Sequence, residues 1–187
     1  MTPPLRFGYI DESIHDKQGL YLLGLVRADP LIEDEARGQL SACVPPGHRP
    51  HWHTEGEAVR AELVQVVARL DVEASVYACR FAVPERQEAA RARALGWAML
   101  ELSPGVDHLI IDRREGKQNQ IDRKVLSVFA GRPRRFTYVH AESRSTPLLW
   151  VADIVVGAAA AQLAQGEERY LKPLDGRVEL SCELTAS

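Results

Sequence analysis

Three aspartates occupy places where carboxylates do chemistry. Asp11 follows the apolar run Phe7–Ile10, and Asp112 follows Leu109-Ile110-Ile111. Asp153 sits inside the long apolar segment from Leu148 to Ala161. A polar residue just past an apolar strand often projects into a cleft, although an Asp there can also cap a turn or the next helix. Asp153 is harder to place on structural grounds alone. A helix that is apolar all round is buried, and a lone ionised carboxylate inside it is costly unless it is paired or bound to a cation. Should the three acids converge, their charges repel, so one takes a proton or a metal neutralises the cluster. Mg2+, or Mn2+ in its place, suits oxygen ligands and uses one or two carboxylates together with phosphate and water. One such ion, or two about 3.5–4 Å apart, can activate water for phosphodiester cleavage.

Two further groups of residues bear on this chemistry. His51 and His53 share a side of the chain if that segment is extended. They form a weak metal signal, or a surface loop with Trp52 tucked inward. From Arg113 to Arg135 lies the most basic stretch, with Arg113, Arg114, Lys117, Arg123, Lys124, Arg132, Arg134 and Arg135. Only Glu115 and Asp122 oppose them. Such a stretch beside Asp112 suits nucleic-acid phosphates, bound strongly and in a salt-sensitive way. The plain alternative is the solvated face of a helix and a turn. No Gly-rich phosphate loop, Gly-x-Ser-x-Gly elbow or His-Glu-x-x-His motif is present.

The elements that must position these residues follow from apolar periodicity. Phe7–Ile10 and Tyr21–Val26 read as strands joined in a hairpin. Pro30 opens a weak helix to about Cys43, and Val44-Pro45-Pro46-Gly47 breaks the chain. Thr54 and Glu57 form a capping box for a helix with Val59, Leu63, Val66, Val67 and Leu70 on one face. Ala74–Val83 reads as a strand, and Pro84 starts a helix ended by Pro104-Gly105. Val106–Ile111 is a strand, Ile121 to Phe129 a helix, Phe136–Val139 a strand, and Pro147 to about Gln165 the most apolar helix. In the tail, Val178, Leu180, Cys182 and Leu184 alternate with polar residues, the mark of a half-buried strand. The pattern predicts one α/β domain over residues 1–187, with a mixed central sheet and helices on its faces. Residues 171–187 form an extension that adds a strand or makes a homodimer contact.

Composition narrows the class further. The chain has 187 residues, 45% of them hydrophobic, and a net charge of −3. It is no polycation, so any nucleic-acid contact must come from a local patch. Cys43, Cys79 and Cys182 are isolated and odd in number, which argues against a disulfide framework or a cysteine zinc knuckle. The first six residues hold no apolar stretch of signal-peptide length, and the Leu148–Ala161 segment is short for a membrane span and carries Asp153. A cytoplasmic protein without membrane contact is expected.

Taken in order, Tyr9-Ile10-Asp11-Glu12-Ser13, His51-x-His53-x-Glu55, Ile110-Ile111-Asp112-Arg113 and Leu148-Leu149-Trp150-Val151-Ala152-Asp153 resemble the bacterial family called domain of unknown function 3800. The resemblance runs from about residue 6 to 165. One departure is Ile14, where that family's opening motif usually has Gly. The family is similar to ribonuclease H-like folds. The resemblance therefore implies a ribonuclease H-like sheet and a metal site made by Asp11, Glu55, Asp112 and Asp153, with Glu57 as the alternative glutamate. Glu12 neighbours Asp11 in an extended segment and should point to the other side. His140, in the loop expected before the last helix, would by the same resemblance assist proton transfer, or else be an ordinary loop histidine.

Three functions fit these features. The first is a metal-dependent nuclease or phosphodiesterase. The second is a binding module for nucleic acid or protein on the same fold, without catalysis. The third is a zinc hydrolase that uses His51 and His53.

Overall fold

The computed structural model describes residues 6–82 and 86–183. Six strands form one sheet in the order β5-β4-β1-β2-β3-β6. They are β1 (Arg6–His15), β2 (Leu20–Ala28), β3 (Val72–Arg80), β4 (Val106–Asp112), β5 (Thr137–Ala141) and β6 (Val178–Cys182). β1, β2 and β3 make an antiparallel meander. β4 runs parallel to β1, β5 parallel to β4, and β6 parallel to β3. The mixed sheet with a hairpin start is as the residue pattern predicts, and the tail does add an edge strand.

Five helices cover the two faces: α1 (Glu33–Ser41), α2 (Glu57–Val67), α3 (Gln87–Leu100), α4 (Gly116–Ala130) and α5 (Pro147–Gln165). Side chains alternate across each strand, so neighbouring residues enter different cores. Tyr9, Leu22 and Val26 pack with α1, α2 and α5. Ile10, Tyr21, Leu23 and Leu25 pack with α3 and α4. These faces are called front and back below.

Several local expectations change. β1 does not stop at Asp11 but continues to His15, because β2 pairs with it along its whole length from Phe7 to His15. The capping box does not form. α2 starts at Glu57 with Gly56 as its cap, and the Thr54 hydroxyl instead donates to the His51 carbonyl in a tight turn. Pro30 opens a short 3-10 turn before α1. Phe136 stays outside β5, which extends through His140 to Ala141. The expected helix start at Pro84 and the end of the tail strand at Leu184 lie outside the described residues.

α5 is the central support of the front face. It begins with Pro147 in its first turn and ends at Gly166, whose φ of 75° is the left-handed conformation that glycine adopts at low cost. Among the described residues it is the one helix long and apolar enough to cross a membrane, yet 83% of its most apolar window is buried inside the protein. It is a core helix. Gly24 of β2 lets it approach: a Cβ there would meet Val156 Cβ at 3.0 Å and the Ala152 carbonyl at 3.4 Å. Gly24 pairs with Asp11 across the β1–β2 ladder. A close approach of α5 to the sheet therefore falls beside Asp11.

Candidate metal and phosphodiester site

Strand register brings the first two aspartates together. Ile10 pairs with Ile111 in the parallel β1–β4 ladder. One step further along the two strands stand Asp11 and Asp112, with backbones ~4.8 Å apart as in any sheet. Asp11 follows the alternation of Tyr9, and Asp112 that of Ile110, so both belong to the front face. Asp153 comes from α5, one residue after the Ala152 carbonyl that lies over Gly24. All three line one small cavity of about 90 Å3, together with Arg49, His51, His53 and Ser143.

Each carboxylate is held by a protein donor at one oxygen. The Glu12 amide donates to Asp11 Oδ1 at 2.7 Å, and the Ser143 amide to Asp112 Oδ1 at 3.1 Å. The Trp52 amide donates to Asp153 Oδ2 at 2.8 Å, and His51 Nδ1 lies 3.0 Å from the same oxygen. Among the described residues, the second oxygen of each carboxylate has no hydrogen-bond partner, and no Arg or Lys forms an ion pair with any of the three. The electrostatic result is plain at Asp11. Burial, followed by the charges of Asp153 and Asp112, pushes its carboxyl well above the ordinary carboxylate range, against a smaller pull from Arg91 and Arg49. His51 shifts upward, chiefly through its hydrogen bond with Asp153 and against its own burial.

The loop that carries His51 is locked by a second glycine. A Cβ on Gly157 would overlap the Trp52 indole. Gly157 is one helical turn beyond Asp153, on the same side of α5. Trp52 therefore packs flat on the helix where Gly157 leaves room, and this seats its amide on Asp153. Trp52 is only 4% exposed, and its ring also meets Tyr170 edge-on. Trp52 does tuck inward, while His51 and His53 face the cavity on either side of it.

Carboxylate oxygens are the ligands a hard divalent cation takes. Three carboxylates line the cavity, each with one oxygen uncommitted, while Arg49 lines it too and His51 bonds Asp153. Among the described residues, no group of three or more His, Cys, Asp or Glu side chains is drawn closely enough to enclose a metal ion. A cation such as Mg2+ supplements a few carboxylates with water and substrate oxygen.

Other expected site residues lie elsewhere. Glu55 is in the turn before α2 and does not line the cavity. Glu57 is exposed and pairs with Arg169 at 3.1 Å. Glu12 touches the cavity edge, but its carboxylate is turned to the back of the sheet, where Tyr21 donates to it at 2.6 Å and Arg91 and Arg114 pair with it. His140 is not in a loop. It is buried in β5 with Nε2 3.2 Å from Asp122 on the back face, because β5 runs two residues past the expected end at Val139.

The basic stretch is likewise dispersed by the fold. Arg114 is taken up by Glu12, Glu88 and Asp122. Lys117, Arg123 and Lys124 are exposed on α4, behind the sheet from Asp11. Arg134 and Arg135 precede β5, whose start pairs with His108 near the start of β4, so they sit at the opposite end of the sheet from Asp112. Arg135 there donates to the Met99 and Phe129 carbonyls. Of the stretch, Arg113 is exposed beside Asp112, where it pairs with Glu142 at 3.1 Å.

Some residues at the site gave no periodic signal. Arg49 lies in a loop, and Ser143 opens the short 3-10 turn before α5. Gly157 did leave a trace: a glycine inside a helix costs about 1 kcal/mol relative to alanine, so its presence implies a close contact. The chain matches no known protein family and no curated protein. Its functional reading therefore stands on the geometry above.

Proposed function

We propose that this protein is a metal-dependent nuclease or phosphodiesterase on a ribonuclease H-like fold. One observation carries the reading: Asp11, Asp112 and Asp153, from two strands and a helix far apart in sequence, line one cavity, and no arginine or lysine forms an ion pair with them among the described residues. The mixed sheet, its hairpin start and helices on both faces support the fold assignment. The resemblance to the domain of unknown function 3800 family agrees with it.

Asp11, Asp112 and Asp153 would hold the cation. When bound, a divalent ion lowers the pKa of water and neutralises charge that develops on phosphate oxygens. The chain's own residues do the rest. The amides of Glu12, Ser143 and Trp52 fix one oxygen of each carboxylate and so aim the other into the cavity. His51 is held by Asp153 at Nδ1, which leaves Nε2 to exchange a proton at the cavity mouth. The Trp52 ring keeps water from the front core below.

Cleavage of end-labelled DNA and RNA with Mg2+ or Mn2+ tests the proposal. Wild type should cut at least one of them. Asp112→Asn and Asp153→Asn should each lose about 10²–10³-fold, the usual cost of removing one group that stabilises the transition state. Equal activity in all three proteins would refute the assignment. Zinc retained through purification, and lost in His51→Ala, would favour the zinc hydrolase instead, since His51 and His53 do border the cavity.

A further inference from the structure

Arg49 stands where three hollows meet. It borders the carboxylate cavity of about 90 Å3. It also borders a trough of about 500 Å3 along Asp112, Arg113 and Ser143. The third is a trough of about 660 Å3 between Pro45, His48 and Trp150. Arg144 lines both troughs. Neither arginine belonged to the basic stretch apparent in the sequence.

Their state differs from that of the other arginines near Asp112. Arg113 pairs with Glu142, and Arg114 is buried among acids. Arg49 and Arg144 are exposed, and among the described residues neither forms an ion pair with a carboxylate. Arg49 donates instead to the Ser143 hydroxyl, while the Ser143 amide donates to Asp112. One serine thus ties this guanidinium to a carboxylate of the site. Its charge is felt at Asp11 and at His51.

Size decides what reaches the acids. Sites that enclose a small molecule usually offer ~300–1,000 Å3, and 90 Å3 is far too little for a nucleotide. Only a group that projects from a larger ligand can enter, and the remainder must lie in the troughs. A phosphate that approaches three carboxylates is repelled unless a cation meets it. Arginine is suited to that task, because its planar fork binds phosphate through two hydrogen bonds.

We propose that Arg49 and Arg144 bind backbone phosphates of a nucleic-acid strand laid along the two troughs, with Arg49 on the phosphate that meets the carboxylates and Arg144 on a neighbouring one. The proposal rests on the nuclease reading of the site and adds the substrate class: a strand rather than a free nucleotide.

Binding measured without cleavage tests it. The probes are labelled single-stranded DNA and RNA oligonucleotides in EDTA, read by fluorescence anisotropy across a salt series. Arg49→Ala and Arg144→Ala should each weaken binding about tenfold or more, the worth of a charge-assisted hydrogen bond. Each should also flatten the log–log salt slope by about 1. Arg49→Lys should restore the slope, and thermal midpoints should not move because both side chains are exposed. The proposal is overturned if wild type binds neither strand or if neither alanine variant changes affinity. It is equally overturned if the loss appears only in Arg123→Ala/Lys124→Ala behind the sheet, or if a mononucleotide competes as well as the strand. Strand binding through Arg49 and Arg144 without any cutting would overturn the nuclease reading and leave this one standing. Cutting that is indifferent to both arginines would do the reverse.

Discussion

Two clusters of charge lie back to back across the same sheet, and they solve opposite problems. On the front, Asp11, Asp112 and Asp153 line one cavity, and no arginine or lysine forms an ion pair with them among the described residues. On the back, Arg91 is fully buried, with Nε and Nη2 each donating to Asp122 at 2.7 Å and Nη1 to the Tyr21 hydroxyl at 2.7 Å. Glu12, Arg114 and His140 complete that network. Burial would raise the Asp122 carboxyl, but hydrogen bonds from Arg91 and His140 and the charges of Arg91 and Arg114 outweigh it and hold it at about 2. The back cluster is internally satisfied and has nothing left to offer a ligand. The front cluster leaves three oxygens without hydrogen-bond partners among the described residues and carries a carboxyl displaced upward. Adjacent residues, Asp11 and Glu12, belong to different clusters only because side chains alternate along a strand. What separates the two clusters is therefore not buried charge but whether each carboxylate oxygen already has a partner.

The sharpest way to break the contrast is to remove an acid from each side. Asp122→Ala leaves Arg91 buried without its bidentate partner and should cost about 3–5 kcal/mol. For a chain of this length that lowers the thermal midpoint by roughly 6–20 °C. The front acids should behave in the opposite way. In metal-free buffer Asp153→Asn should unfold at a midpoint within a few degrees of wild type. It should also fail to gain the stabilisation expected of wild type with Mg2+ or Mn2+. Denaturation curves of the two variants with and without metal check both halves.

A middle-sized effect comes from Gly157→Ala, which adds one methyl group where the Trp52 indole lies. Overpacking of this kind costs about 1–3 kcal/mol. It should also lift the Trp52 amide and His51 from Asp153. Loss of such supporting contacts lowers metal affinity about 10–100-fold, measurable by calorimetric titration. A normal metal affinity in Gly157→Ala would show that the loop does not orient Asp153.

The smallest effect is in the pH dependence, where the two clusters have opposite signs. Asp122 has a folded-state pKa of about 2, below its unfolded value of about 3.9. Its contribution is present above pH ~4 and is lost as pH falls through about 2. Asp11 has a folded-state pKa above its unfolded one, so its contribution is present below pH ~4 and is lost as pH rises through the folded value. Asp11→Asn should therefore be more stable than wild type at pH 7 without metal, and the advantage should shrink on acidification. Chemical denaturation at several pH values measures it, and a variant less stable at pH 7 would contradict the strain assigned to the front site.

Much of the architecture was legible from residue pattern. Period-two and period-3.6 apolar spacing placed the strands and the main helices, because burial of one face imposes those periods. Asp153 was legible as an anomaly in an apolar helix. The same reasoning applied to α3 would have found Arg91, which sits between Ala90, Ala94, Leu95 and Ala98 on a buried face. What escaped were choices made by partners distant in sequence. Whether a buried acid meets an arginine or two more acids depends on strand register and helix approach. Neither Glu55 nor His140 announces that the chain turns it away from the site. The basic run looked like one patch because its members are neighbours in sequence, yet a helix, a strand and a buried network distribute them over three regions.

The amino-acid sequence by itself determined the alternating cores, the hairpin start, the buried last helix and the costly aspartate within it, since each follows from local periodicity and the price of burying charge. Only the tertiary structure decided that Asp11 and Asp112 stand side by side through β1–β4 register, and that Gly24 and Gly157 bring α5 and Trp52 into place around them. It also decided that Arg49, from outside the basic run, lines the carboxylate cavity, while most of that run is carried elsewhere. Convergence of distant side chains is a property of register and packing distance, and neither is written in any local window of the chain.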